Sequence, residues 1–223
     1  MDSGAAAIEI NPARPATAAI ILLHGLGADG HDLAALAAEL DPPGGNSVRF
    51  VFPHAPFRPV TINAGYVMRA WYDIRGSDLS HGEDEAGILT SVGSLHELIQ
   101  RQIAAGIPSH RIIIGGFSQG GAVALYGGLC FAQRLGGVLA LSAYLPLYSK
   151  FRDDAVAADP SLPVMMAHGT EDPIVPVAYG RLSRHRVESL GYSVQWHEYP
   201  MGHAICEAEI RDTAAWLATV LER

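Results

Sequence analysis

The sequence predicts an α/β fold in which a mostly parallel central sheet is flanked by helices. Strand-like and helix-like runs alternate along all 223 residues, as they do when parallel strands are joined by crossover helices. The central strand-like runs are continuously apolar, which is typical of strands covered on both faces. Hydrophobic residues make up 49% of the chain, enough for one sizeable core, so residues 1–223 are expected to form a single domain.

Apolar and β-branched runs bounded by turn residues predict six strands. They cover Ala18–Leu23, Val48–Phe52, Arg111–Ile114, Val138–Leu141, Val164–Ala167 and Ser193–Tyr199. The last run alternates apolar and polar side chains, which places it towards an edge of the sheet. Residues 1–16 precede the first run and are expected to be a loose N-terminal segment.

A long helix is predicted over residues 84–105, because apolar residues recur there every three or four positions. Gly106 and Pro108 end it. The final helix shows the same spacing, with Ile210, Ala214, Leu217 and Leu221. The connection over residues 144–162 is too short to hold a large lid domain, so an open site is expected.

Composition argues against several classes of partner. The net charge is −8 and no long basic run occurs, which disfavours nucleic acid. The longest apolar stretches are far shorter than the ~20 residues of a membrane span, so no stable membrane insertion is expected. The N-terminus lacks the features of a signal peptide, and two cysteines without motif spacing suit a reducing compartment. These features predict a cytoplasmic protein.

The segment 112–121 carries the strongest functional signal. A β-branched run leads into Gly116-x-Ser118-x-Gly120, and helix-compatible residues follow. This strand–turn–helix context is required for the nucleophile elbow of an α/β-hydrolase fold, in which a strained turn exposes the serine hydroxyl. A phosphate-binding loop is the alternative, but the segment has neither Gly-Lys-Ser/Thr nor G-x-G-x-x-G. Ser118 is therefore the predicted nucleophile.

A serine nucleophile needs a histidine base and an acid that orients it. In this fold class they follow the serine in the order acid, then histidine, each on a loop after a strand. Asp172, before Pro173, is the predicted acid, with Glu171 as its local rival and helix capping as the alternative role. His203 follows the last strand directly after a glycine and is the predicted base.

Two backbone N–H groups are expected to bind the oxyanion that forms during acyl transfer. One belongs to Gln119 at the start of the helix after Ser118. The other belongs to Leu26, in a loop with three glycines that follows the first strand. His24 in the same loop is expected to bond only to the backbone. No metal site is predicted, since the histidines lack ligand spacing and no cysteine pair joins them, and no cofactor is needed.

The chain resembles the small carboxylesterase/phospholipase family of α/β-hydrolases, which includes bacterial carboxylesterases and acyl-protein thioesterases. The resemblance runs from about Ile20 to Leu221. It is carried by Leu23-His24-Gly25-Leu26-Gly27-Ala28-Asp29-Gly30, Phe52-Pro53-His54-Ala55-Pro56, Met68-Arg69-Ala70-Trp71-Tyr72-Asp73, Gly116-Phe117-Ser118-Gln119-Gly120-Gly121, His168-Gly169 with Asp172-Pro173-Ile174-Val175-Pro176, and Met201-Gly202-His203.

The resemblance implies a triad of Ser118, Asp172 and His203, oxyanion donors at Leu26 and Gln119, and pocket-lining side chains at Trp71 and Ile174. The loops Ala28-Asp29-Gly30 and Trp71-Tyr72-Asp73 favour the bacterial esterase form over the protein-depalmitoylating form. The chain departs from the family at Ser80-His81-Gly82-Glu83, where an arginine often precedes the acidic pair.

These residues predict a serine hydrolase that cleaves small-molecule carboxylic esters through an acyl-enzyme. Short to medium acyl chains are expected, with lysophospholipids or thioesters as further substrates. Two alternatives stay open: an acyltransferase or perhydrolase-type serine enzyme, and a non-catalytic binding module on the same fold. A homodimer is compatible with an open, apolar-rimmed site.

Overall fold

The computed structural model describes residues 7–40, 47–76, 78–79, 82–151 and 159–222. Nine strands lie in these ranges: β1 (Ala7–Ile10), β2 (Ala18–Leu23), β3 (Val48–Pro53), β4 (Phe57–Val60), β5 (Tyr66–Arg69), β6 (Ile112–Phe117), β7 (Gly137–Leu141), β8 (Val164–Gly169) and β9 (Val194–Tyr199). The helices of the same ranges are α1 (Gly30–Ala34), α2 (Ala37–Leu40), α3 (Glu85–Ala104), α4 (Gln119–Leu129), α5 (Val177–Ser189) and α6 (Glu207–Leu221).

Seven of these strands form one sheet in the order β1-β3-β2-β6-β7-β8-β9. Only β1 is antiparallel to its neighbour, and all other adjacent pairs are parallel. Each predicted strand corresponds to an observed one, with ends that differ by a few residues. Because parallel strands share a carboxyl edge, the loops that follow β2, β6, β8 and β9 open at the same end of the sheet.

The N-terminal segment is more ordered than expected. Residues 1–16 were predicted to be loose, but Ala7–Ile10 form the edge strand β1, in which Ile8 pairs with Phe52 of β3. The strand covers the edge of β3 that would otherwise expose unpaired backbone groups. Residues 1–6 lie outside the described residues.

Helices cover both faces of the sheet. On one face α3, α4 and α5 pack through buried residues that include Ile88, Leu95, Tyr126 and Val187. On the other face α1, α2 and α6 contribute Leu33, Leu40, Trp216 and Leu217. The predicted helix over residues 84–105 is confirmed as α3, with Asp84 as its N-cap, and Gly106 follows it at a φ of 92°.

A two-stranded hairpin lies outside the main sheet and was not predicted. Strands β4 and β5 pair from Phe57–Arg69 to Val60–Tyr66, and Thr61 at the turn donates two hydrogen bonds to the Asp73 carboxylate, at 2.7 and 2.6 Å. Four large apolar side chains of the hairpin are exposed: Phe57, Ile62, Tyr66 and Val67. The last residue of the hairpin lies beside the loop that carries Leu26, because the Gly27 N–H donates to the Arg69 carbonyl at 2.9 Å.

The connection from β7 to β8 spans residues 142–163, of which 152–158 are outside the described residues. Its length leaves no room for a large lid domain. Ser80 and His81, where the sequence departs from the family pattern, also lie outside the described ranges. Among the helices that the structure describes, none combines the length and apolar character needed to cross a membrane. Cys130 and Cys206 are not joined by a disulfide.

Candidate active site

Ser118 occupies the sharp turn between β6 and α4. Its backbone has a φ of 54° and a ψ of −120°, a strained conformation for a residue with a side chain, which costs about 1–3 kcal/mol. The turn is held by the Ser118 N–H, which donates to the Leu141 carbonyl at 2.8 Å. The side chain is nearly buried, with 8% of the residue exposed. This is the geometry of a nucleophile elbow.

Glycines allow the close packing on which the turn depends. A methyl group on Gly116 would lie 2.5 Å from the Leu23 carbonyl oxygen, and one on Gly120 would lie 2.5 Å from the His24 carbonyl oxygen. Both distances are far below van der Waals contact, and both partners are backbone atoms that cannot rotate away. Strand β2, strand β6 and helix α4 therefore approach one another closely at Ser118 through backbone contacts.

His203 lies between Ser118 and Asp172. Its Nε2 is 2.9 Å from the Ser118 Oγ, and its Nδ1 is 2.7 Å from the Asp172 Oδ2. Since an ionised carboxylate only accepts, the Nδ1 atom carries the proton and Nε2 is left to accept from the serine hydroxyl. The three predicted residues, which lie 85 and 31 positions apart in sequence, form one continuous chain of hydrogen bonds.

The second oxygen of Asp172 organises its own loop. Its Oδ1 accepts the N–H groups of Ile174 at 2.8 Å and Val175 at 2.9 Å. The buried carboxylate is thus satisfied by three donors, while the rival Glu171 is exposed. Asp172 makes capping contacts through its Oδ1 and contacts His203 through its Oδ2, an arrangement that is compatible with both predicted roles.

His168 is a buried residue of this loop that the sequence did not single out as functional. Its Nε2 donates to the Val175 carbonyl at 2.7 Å and lies 3.7 Å from the Asp172 Oδ2. Burial lowers the pKa of His168 below its ordinary value, so the ring is neutral at neutral pH. The His168-Gly169 pair that carried the family resemblance was the available signal, and its role is to support the Asp172 loop.

The two candidate oxyanion donors belong to two segments next to Ser118: the start of α4 and the loop after β2, where a methyl group on Gly25 would lie 3.5 Å from the Ser118 Cβ. Gln119 is the first residue of the 11-residue helix α4, whose N-terminus favours negative charge. Leu26 lies in the loop after β2, where the φ of 77° at Gly27 turns the backbone. Within the described residues, neither N–H donates to a protein acceptor. Both groups are therefore available to an oxyanion.

The buried side chain of His24 stabilises the loop that carries Leu26 through hydrogen bonds to the backbone. Its Nε2 accepts the Ala55 N–H at 3.0 Å, so its Nδ1 carries the proton and donates to the Gly25 carbonyl at 2.7 Å. Burial lowers the pKa of His24 and keeps the ring neutral. The expectation that this histidine bonds only to the backbone is confirmed.

The two predicted pocket residues have opposite environments. Ile174, two positions after Asp172, is 63% exposed, whereas Trp71 is only 2% exposed and belongs to the core. The Trp71 indole donates to the His24 carbonyl at 2.8 Å. No group of three or more histidine, cysteine, aspartate or glutamate side chains in the described ranges is arranged to hold a metal ion.

Comparisons with known proteins agree with this geometry. The family model described as phospholipase/carboxylesterase matches residues 4–221. Among curated relatives, acyl-protein thioesterase 1 of Neurospora crassa is 43% identical over 87% of this chain and 83% of its own length. Acyl-protein thioesterase 1 of Gibberella zeae is 42% identical over 97% of both chains.

Solved structures give the same result. Arabidopsis thaliana SOBER1 superposes with a TM-score of 0.86 at 30% identity, over 92% of this chain and 99% of its own. Zea mays acyl-protein thioesterase 2 gives 0.84 at 28% identity, over 97% and 99%. The Bacillus cereus carboxylesterase gives 0.79 over 98% and 96%, but at 19% identity it supports the fold alone.

These identities run against the expectation that the bacterial esterase form is nearer. The relatives named acyl-protein thioesterase 1 are 43% and 42% identical to this chain over the aligned residues. The short loops on which that expectation depended are too few residues to separate two branches of one family. The chain belongs to the phospholipase/carboxylesterase family of α/β-hydrolases and is a serine hydrolase of the carboxylic-ester type.

Proposed function

We propose that the protein hydrolyses carboxylic esters and thioesters through a triad of Ser118, His203 and Asp172. The observation that carries the proposal is the unbroken hydrogen bond chain from the Ser118 Oγ through the His203 ring to the Asp172 Oδ2, at 2.9 and 2.7 Å. Serine alone is a weak nucleophile, and His203 in this series of hydrogen bonds supplies the base that activates it.

In the first step the Ser118 Oγ attacks the acyl carbon while its proton moves to the His203 Nε2. The carbonyl oxygen becomes an oxyanion and accepts hydrogen bonds from the N–H groups of Leu26 and Gln119. Collapse of this intermediate breaks the bond to the alcohol or thiol, which takes the proton from His203 and leaves an acyl-enzyme.

Water attacks the acyl-enzyme in the second step. As the water oxygen adds to the acyl carbon, His203 takes a proton from the water. His203 then returns that proton to the Ser118 Oγ as the carboxylic acid leaves. Asp172 stays ionised throughout and stabilises the imidazolium that forms twice in each cycle. The steps use only protein groups and water.

The relatives named acyl-protein thioesterase 1 support the proposal that thioesters are substrates. Support for a short to medium acyl chain comes from the connection between β7 and β8, which is too short to form a large lid domain over the site. Exposed Ile174, two positions after Asp172, offers an apolar contact.

The test is hydrolysis of p-nitrophenyl esters from acetate to palmitate, together with an ester and a thioester of the same acyl chain. Ser118→Ala is expected to lower kcat by about 10⁶-fold, and Ser189→Ala, at an exposed serine of α5, to leave it unchanged. A wild-type protein that cleaves no ester or thioester and resists a fluorophosphonate would refute the proposal in favour of a binding module. Acyl transfer to an added alcohol in preference to water would favour the transferase alternative.

A further inference from the structure

Trp71 is a buried residue whose polar groups all bond to different parts of the fold. Its backbone N–H donates to the Gln119 Oε1 at 2.7 Å, and its indole Nε1 donates to the His24 carbonyl at 2.8 Å. Its own carbonyl accepts the hydroxyl of Ser91, which lies on α3. One residue therefore joins the start of α4, the loop after β2, and α3.

Two of these partners lead directly to the candidate oxyanion donors. Gln119 supplies one of the two N–H groups from its backbone, and its side chain is the group that binds Trp71 and Tyr72. The His24 carbonyl lies two residues before Leu26, whose N–H is the other donor. Trp71 is therefore hydrogen-bonded to both segments that carry a candidate oxyanion donor.

The loop around Leu26 is fixed at both ends. On one side the His24 carbonyl is held by the Trp71 indole and packs against the backbone of Gly120, where an added methyl group would lie 2.5 Å away. On the other side the Gly27 N–H donates to the Arg69 carbonyl at 2.9 Å. The peptide between these anchors has little freedom, so the direction of the Leu26 N–H depends on both of them.

We propose that Trp71 is a positioning residue that sets the relative orientation of the Leu26 and Gln119 N–H groups, and not a contact for the acyl chain. The proposal depends on the proposed function, because it assigns these two groups to the oxyanion. A side chain that is 2% exposed presents almost no surface to a ligand. Oxyanion donors act only when they point at the developing charge, so a small change in their direction affects the transition state more than the bound substrate.

The test replaces Trp71 with phenylalanine, which keeps an aromatic ring and removes the indole N–H. We expect kcat for a short p-nitrophenyl ester to fall about 10- to 100-fold, since a misdirected donor costs less than the 10²–10³ of a missing one. KM is expected to change little. The loss should also appear in the inhibition constant of a trifluoromethyl ketone. The Ser118 Oγ adds to its carbonyl carbon, the serine proton moves to His203, and the ketone oxygen becomes a stable oxyanion.

Trp216→Phe is the matched control, because Trp216 packs in the core on the opposite face of the sheet from Trp71. It should leave kcat, KM and the inhibition constant as in the wild type. A Trp71→Phe enzyme with wild-type kcat and inhibitor affinity would overturn the positioning role, and a rise in KM alone would assign Trp71 to substrate binding instead.

Gln119→Met provides a second test in case Trp71→Phe does not fold. It keeps the backbone N–H of residue 119 but removes the side chain bonds to residues 71 and 72, and the same fall in kcat with unchanged KM is expected. Wild-type kcat in that variant would also refute the proposal. An inactive wild-type protein would refute the proposed function itself, whereas an active wild type with unaffected variants would refute only the role of Trp71.

Discussion

Asp172 contacts His203 through one carboxylate oxygen and holds its own loop with the other. The Oδ2 lies 2.7 Å from the His203 Nδ1, while the Oδ1 accepts two backbone N–H groups at 2.8 and 2.9 Å. An oxygen fixed by two N–H donors cannot swing away, so the carboxylate meets the imidazole in a single orientation. Loop structure and histidine orientation are therefore one feature of the same side chain.

Replacing Asp172 with asparagine should separate these two tasks. The amide oxygen still accepts the N–H groups of Ile174 and Val175, but the amide nitrogen cannot accept the His203 proton, so the wrong tautomer is favoured. We expect kcat to fall about 10⁴-fold with a much smaller change in melting temperature. Steady-state kinetics and thermal unfolding measure the two effects. Glu171→Gln, at the exposed neighbour, should keep wild-type kcat; the reverse ranking would assign the acid to Glu171.

Replacing Gly120 with alanine should damage both the fold and the site. The added methyl group would overlap the carbonyl oxygens of Leu23 and His24, so α4 must move away from β2. We expect a loss of several kcal/mol in the free energy of unfolding and a fall in kcat, as the Gln119 and Leu26 N–H groups separate.

Gly93→Ala is the control for this substitution. Gly93 lies inside α3, and a methyl group there meets nothing within 4 Å. Alanine has the higher helix propensity, so this variant should be about 0.5–1 kcal/mol more stable than the wild type. Urea unfolding of both variants makes the comparison. Equal stability of the two would contradict the close approach of α4 to the backbone of β2.

Glu209 should make stability depend on pH. Its carboxyl group is fully buried in the first turn of α6, and burial raises its pKa from 4.5 to about 8, against the opposing effect of the Cys206 N–H. Although this N–H faces the group, neither carboxyl oxygen has a hydrogen bond partner among the described residues. Between these two pKa values the folded state holds a proton that the unfolded state lacks. The free energy of unfolding should therefore fall as pH rises, by up to about 1.4 kcal/mol per pH unit.

Glu209→Gln removes the titrating group, so this contribution to the pH dependence should disappear. Relative to the wild type, the variant should gain stability between about pH 5 and pH 8.5, as measured by urea unfolding at several pH values. Glu207→Gln, at an exposed residue of the same turn, should follow the wild-type curve. A stability difference between Glu209→Gln and wild type that is constant with pH would show that the carboxyl group does not titrate in this range.

The elbow and the parallel strands were predictable because their signals are local. A continuous apolar run before Gly-x-Ser-x-Gly requires a buried strand and a sharp turn, whatever the rest of the chain does. The same loop rule located Asp172 and His203, since the residue after a parallel strand lies at the carboxyl edge of the sheet. The sequence did not indicate the contacts of His168 and Trp71, because each of their hydrogen bonds has a backbone group on at least one side, and a pattern of side chains does not reveal such bonds.

The hairpin of β4 and β5 was missed for a different reason. Pro59 interrupts its first strand, and the turn uses Ala64 at a φ of 54° before Gly65 at 76°. A proline inside a strand and an alanine at positive φ in a turn both contradict the usual residue preferences. The proline is tolerated because a two-stranded hairpin leaves one side of each strand unpaired. Tertiary support comes from Asp73, eight or more residues beyond the turn.

The final helix shows how polar residues mask a buried face. Of the four predicted core residues, Leu217 and Leu221 are buried, whereas Ile210 and Ala214 are only partly buried. The buried face also includes residues one position earlier in the sequence, namely Glu209, Thr213, Trp216 and Val220. From the sequence alone a glutamate at this position is expected to be exposed to solvent, whereas Glu209 is buried and burial raises its pKa.

The backbone contacts that fix the position of Ser118 have a consequence for heat inactivation. Side chains can loosen one at a time, but the contacts of Gly116 and Gly120 with the Leu23 and His24 carbonyls persist until β2, β6 and α4 part. These elements form the centre of the sheet and the helix that covers it, which are expected to open late in a cooperative domain. On heating, Ser118 should therefore keep its position until the whole fold is lost.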